Sequence, residues 1–137
     1  MSPEVTRRKL TILAGYADDL KKYANLGSAE YLENHYAIER ILELMVITGT
    51  DLLFHLFAES GEAEPSSYSA AFRHAGESGI LDAALAERLA KLAGMRNLLV
   101  HGYETVDHEI VHRSIGPAID DFTLFAKRIY ERLGDRI

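Results

Sequence analysis

Apolar residues recur along this chain at intervals of three and four, the spacing that lines one side of an α-helix, and they fall into five runs. Leu10, Leu13, Ala17 and Leu20 define the first run, which starts near Pro3, a residue suited to a helical first turn, reaches about Ala24 and is ended by Gly27. The second spans about Ala29 to Glu59, with Ser28 as its expected cap and Glu30 and Glu33 facing the positive end of the helix dipole. Its seam of Tyr31, His35, Ile38, Leu42, Met45, Gly49, Leu52 and Leu56 steps alternately by four and three. Ile41, Ile47, Leu53 and Phe57 add apolar surface elsewhere on the same cylinder, more than one face can absorb. Such a helix is either central to its own bundle or shared with a second copy, and a homodimer is the expectation.

Between Ser60 and Ser67 the sequence SGEAEPSS reads as a loop, and Pro65 with Ser66 or Ser67 starts a short third helix around Tyr68 to His74, bracketed by Gly76 and Gly79. The fourth helix runs from about Asp82 to His101, with Leu85, Leu89, Leu92, Arg96 and Leu99 on one stripe. Arg96 interrupts that apolar line. A guanidinium placed there needs a carboxylate, for which Glu39, Glu43 and Asp51 are the candidates, or an anionic ligand. Gly102 stands just past the helix end, and Asp107 caps a fifth helix carrying Ile110, Val111, Ile115, Ile119, Phe122, Phe125 and Ile129 inward. No strand pattern competes. The expected fold is all-α: one domain over residues 1–137, an antiparallel up-and-down bundle of four to five helices, dimeric through helices two and four.

Composition narrows the function classes. Cysteine is absent, which excludes disulfides and thiolate metal sites and accords with a reducing cytoplasm, the expected location. The charged start MSPEVTRRKL lacks the apolar core of a signal peptide, and no apolar run is expected to reach the length that crosses a bilayer, so no membrane partner is expected. A net charge of −6 argues against a coat that grips nucleic acid through many phosphate contacts. Any RNA contact must be local, at Arg7, Arg8 and Lys9, at Arg73 and His74, or at Arg96.

The chemistry concentrates in RNLLVHGY, Arg96 to Tyr103. Arg96 offers a planar fork of donors that fits a phosphodiester, His101 can exchange a proton near neutral pH, and Tyr103 adds a hydroxyl at the same helix end. Ten arginines and six histidines in 137 residues make the Arg and His spacing alone expected about once by chance, and the added tyrosine lowers that to about a tenth. Metal-free RNA cleavage needs a proton carrier and a cation on the phosphorane, roles that His101 and Arg96 can fill. Tyr103, with an ordinary pKa near 10, suits positioning of phosphate or water better than proton abstraction. Asn97 can hold Arg96 or His101, or simply hydrogen-bond the helix end. Five helical steps turn about 140°, so the pair faces one phosphate only if the last turn unwinds near Gly102 or a two-fold axis brings in a second pair.

With these residues in place, the chain resembles the HEPN superfamily, and specifically its HepT-like toxins, whose signature of Arg, four residues, His, one residue and Tyr is matched by RNLLVHGY. The likeness extends through the long second helix with Arg40 and Glu43, the PSSY opening of helix three, GMRNLLVHGYETVD and the amphipathic last helix. It implies a toxin of a toxin–antitoxin pair: a metal-independent, cofactor-free ribonuclease acting as a dimer. It also implies a small nucleotidyltransferase antitoxin of the MntA type that adenylylates the motif tyrosine, here Tyr103. A bulky anion there would repel RNA.

Two other readings compete. A non-enzymatic helical module would dock on a nucleotidyltransferase, with Tyr103 only an AMP acceptor. HEIVH, His108 to His112, has the spacing of a zinc protease motif, but no later histidine follows and a helical bundle offers no strand for a peptide. Asp51 and His55 read as a helical pair, His35 as a core or interface histidine, and the tyrosines at 16, 23, 31, 36 and 130 as core and interface aromatics.

Overall fold

A computed structural model describes residues 3–101 and 106–134, and among them the chain forms five helices and no strand. They are α1 (Pro3–Lys21), α2 (Ser28–Glu59), α3 (Tyr68–Glu77), α4 (Ala83–His101) and α5 (His108–Gly134). The expected all-α bundle is present. Helix α2 packs against each of the other four, while α1 lies between α2 and α5 and α3 lies along α4. Tyr31, Ile38, Leu42, Met45, Leu52, Leu53 and Phe57 of α2 are buried at its centre. The surplus apolar surface of α2 therefore divides: Leu53 and Phe57 enter the core, whereas Ile41, Leu44, Ile47 and Phe54 remain half-buried on an outer face. By length and composition α2 could cross a membrane, with a window of mean hydropathy 1.6. The expectation that no segment reaches that length is corrected; Glu43 and Asp51 hid it by interrupting the run. Packing against four neighbouring helices accounts for its apolarity.

The helix ends show which local signals act. Ser67 caps α3, its side chain accepting from the Ala70 N–H at 3.1 Å, and Asp107 Oδ1 accepts from the N–H groups of Glu109 and Ile110 at 3.0 and 3.2 Å. Ser28 does not cap α2. The extended cap residue is Gly27, whose carbonyl accepts from the Tyr31 N–H at 2.9 Å, and Ser28 is already helical. Helix α3 continues through Gly76 to Glu77, and the turn into α4 is made by Gly79 at φ +80°, a left-handed backbone that glycine adopts cheaply. Ile110, expected inside, is 47% exposed, because it stands about 100° around α5 from the buried line of Val111, Ile115, Ala118 and Phe122.

Two glycines set how closely the helices approach. Gly49 of α2 faces the edge-to-face cluster of Phe72, Phe122 and Phe125, where an added Cβ would lie 3.1 Å from Phe122. Gly76 is tighter: a Cβ would lie 2.6 Å from that of Ala86 across the contact between α3 and α4. In a free helix Gly→Ala gains about 1 kcal/mol, whereas overpacking costs about 1–3 kcal/mol, so the packing term wins. Gly76→Ala is expected to lose about 1–2 kcal/mol and several degrees of Tm. A thermal melt in which this variant unfolds above the parent would show that α3 and α4 are not held this closely.

Candidate functional site

Helix α4 carries Arg96 into the half-buried space where it meets α2 and α3. The side chain keeps only 15% of its exposure and has Glu43 Oε1 at 3.5 Å from one terminal nitrogen and Asn97 Oδ1 at 3.5 Å from the other. Both contacts are at the outer limit of a hydrogen bond. Its carbon Cζ lies over the Tyr68 ring, 4.9 Å from its centre, a cation–π contact. Its Nε is buried and, among the described residues, has no hydrogen-bond partner. A buried N–H donor left in this state is costly unless a ligand meets it. Glu43 is not a dedicated partner, since its other oxygen is 3.2 Å from Arg40. Of the three carboxylates expected to serve Arg96, only Glu43 reaches it. Asp51 instead pairs with Lys9 of α1 and lies 3.6 Å from His55, in keeping with a helical pair, and Glu39 pairs with His35.

Below Glu43 on the same face of α2 opens a cleft of about 490 Å³ lined by His35, Tyr36, Glu39, Arg40, Leu99 and His108 among others. His35 is not a solitary core histidine: it is half-buried, bonded to Glu39, and its ring centre is 4.8 Å from that of His108. The Tyr31 hydroxyl shares a hydrogen bond with His108 Nδ1 at 3.1 Å. Burial, with the Glu39 carboxylate as the lesser cause, pushes the Tyr31 phenol up to about 12, so it stays protonated at neutral pH.

HEIVH is used for packing rather than for a protease site. His112 Nε2 donates to the Leu26 carbonyl at 2.7 Å, tying α5 to the connection between α1 and α2, while His108 turns to Tyr31 and His35. Glu109 is exposed beside Arg113, so the carboxylate that would activate water faces solvent away from both rings' partners.

Among the motif residues, Arg96 and Asn97 are brought together, and His101 is the last residue of α4 as expected. The side chain of His101 and all of Tyr103 lie outside the described residues. Two contributors were not foreseen. Tyr68 supplies the ring under Arg96, for which PSSY was the available signal, and His35 with Glu39 shows the i, i+4 spacing of a cooperating pair but needs α5 to complete its cluster.

Residues 13–129 match the family described as Ribonuclease HepT-like. The chain is 29% identical over 132 residues to the tRNA nuclease HepT of Aphanizomenon flos-aquae, covering 94% of this chain and 90% of that protein. Its fold superposes with a TM-score of 0.84 on the tri-AMPylated Shewanella oneidensis HEPN toxin in complex with MNT antitoxin, at 17% identity over 96% of this chain and 99% of that one. The cytosolic protein of unknown function YutE from Bacillus subtilis gives a TM-score of 0.79 at 20% identity, covering 96% and 92% of the two chains. With most of its length inside that family match and its five helices on the same frame, the chain belongs to the ribonuclease HepT-like family of HEPN proteins.

Proposed function

We propose that this chain is the toxin of a cytoplasmic toxin–antitoxin pair, a single-domain endoribonuclease that cuts RNA without a catalytic metal through Arg96, His101 and Tyr103. The observation that carries this reading is the buried Nε of Arg96, without a hydrogen-bond partner among the described residues, on a guanidinium that lies over the Tyr68 ring five residues before His101. In the reaction the ribose 2′-oxygen bonds to phosphorus as its proton passes to an imidazole. The bond from phosphorus to the 5′-oxygen breaks with proton delivery to that oxygen, leaving a 2′,3′-cyclic phosphate and a 5′-hydroxyl. Arg96 stabilises the doubly charged phosphorane between these steps, Tyr103 positions the phosphate, and Asn97 steadies the guanidinium. Base and acid are supplied most simply by His101 from each of two copies. Transfer RNA is the substrate class to test first, because the curated relative is named for it.

The second copy has a surface to occupy. Ile12 and Tyr16 of α1, Leu44, Ile47 and Phe54 of α2 and Tyr68 of α3 line a groove of about 380 Å³ on the outer face of α2, and Tyr68 joins it to Arg96. Ile12, 44% exposed, can change without touching the core. Ile12→Glu is expected to weaken dimerisation at least about tenfold, equivalent to about 1.4 kcal/mol. Light scattering over a dilution series reads this, and an unchanged dimer would place the interface elsewhere.

Control falls to a nucleotidyltransferase antitoxin, in which the Tyr103 oxygen bonds to the α-phosphorus of ATP and pyrophosphate leaves. The deciding experiment incubates the purified chain with total transfer RNA in excess chelator, before and after treatment with the nucleotidyltransferase and ATP. Cleavage that disappears as Tyr103 gains one AMP by mass spectrometry supports the reading. Addition of AMP to a chain that never cuts RNA would favour the module that merely docks and accepts the nucleotide.

A further inference from the structure

We infer that His35, Glu39 and His108 form a binding site for one divalent transition-metal ion of the zinc class, which clamps the start of α5 to α2. Their ligand atoms all lie within 4.8 Å of one another, and all three residues are half-buried at the wall of the cleft below Glu43. Around a tetrahedral zinc at about 2.0–2.1 Å, ligand atoms stand about 3.4 Å apart, so side-chain rotations of about an ångström close the set. His35 and Glu39 occupy i and i+4 of one helix and already touch, so the set closes by bringing His108 onto that pair.

The donor set selects the ion. Two imidazoles and one carboxylate suit zinc, cobalt, nickel or copper, whereas magnesium and calcium demand a set of oxygen ligands of which this cluster offers only Glu39. Three protein ligands leave a fourth position open to water from the cleft. The surroundings also match those of a built site. With Nδ1 of His108 hydrogen-bonded to the Tyr31 hydroxyl, Nε2 is the ring nitrogen that would ligate, and the buried phenol fixes the ring as outer partners of metal-bound histidines do. Glu39 supplies negative charge against the incoming cation. Asp107, which caps α5 immediately before His108, offsets the positive end of that helix.

Such an ion would act as a clamp, not as a reactant. It would sit one turn of α2 before Glu43, the residue that touches Arg96, and its third ligand ends the segment 102–107 that joins the motif to α5. The inference is independent of the nuclease reading, and its test uses no RNA.

Untagged protein, stripped with chelator and dialysed, is titrated with zinc by calorimetry, with cobalt by visible absorption and with magnesium as a control. One zinc per chain, visible cobalt bands, no magnesium binding and a raised Tm with zinc are expected. His35→Ala and His108→Ala should each weaken zinc at least about tenfold, while His112→Ala, whose ring is held on the Leu26 carbonyl, should keep its affinity. Histidine-ring NMR of the unaltered chain removes any dependence on how the variants fold: zinc should move the His35 and His108 signals and leave those of His55, His74 and His112 in place. Absence of zinc binding, binding retained in both His35→Ala and His108→Ala, or ring shifts confined to other histidines would overturn the site.

Discussion

Replacing His101 by alanine is expected to slow RNA cleavage by about 10²–10⁴-fold while leaving the fold intact, the range by which a positioned proton carrier accelerates such a step. Of the side-chain types in the motif, imidazole is the one whose reference pKa, near 6.5, lies close to neutral pH. The wild-type rate should therefore bend with pH near neutrality, and the residual rate of His101→Ala should lose that bend. A variant that cuts transfer RNA at the parental rate, or whose pH profile is unchanged, would remove His101 from the chemistry. Because the residue ends α4 rather than filling its interior, the substitution should leave the melting temperature within a few degrees of the parent.

Arg96→Ala is expected to cost about 10²–10³-fold in kcat, the usual loss when one donor to a developing anion is removed. Its structural cost should be small, since Glu43 keeps Arg40 at 3.2 Å and is not left as an isolated buried charge. Arg96→Lys distinguishes a charge role from a shape role. Lysine restores the cation but neither the planar fork that lies on Tyr68 nor the buried Nε donor, so it should recover only a minor part of the rate. Full rescue by lysine would mean that Arg96 contributes only a point charge. Single-turnover cleavage of a defined transfer RNA, with binding measured separately, assigns the loss to the chemical step or to affinity.

Much of this architecture was legible because helices bury stripes, and stripes are written at intervals of three and four. Leu10, Leu13, Ala17 and Leu20 needed nothing beyond their spacing, and Ser67 and Asp107 announced the helices they cap. Two of the errors were of one kind. Ser28 has the right side chain, but the extended backbone falls on Gly27, and Ile110 is apolar but one step out of register with Val111. In both cases side-chain type suggested a role that backbone phase decided. The site was legible only in part, because its parts come from different helices. Arg96 stood out by breaking an apolar line. Tyr68 beneath it and His108 beside His35 depend on where α3 crosses α4 and α5 meets α2, which no local pattern encodes. The apolar excess of α2 divides between two sides of the helix: Leu53 and Phe57 fill the bundle, and Ile47 and Phe54 line the outer groove.

The position of α2 bears on how the proposed activity could be held in check. Since this helix contributes to every interhelical seam apart from those of α1 with α5, α3 with α4 and α4 with α5, releasing any one element strips part of the same core. Among the described residues every other helix packs against α2, so the bundle should melt as a unit. If the chain is the nuclease proposed above, its control is expected to act on the assembled bundle rather than through release of one helix.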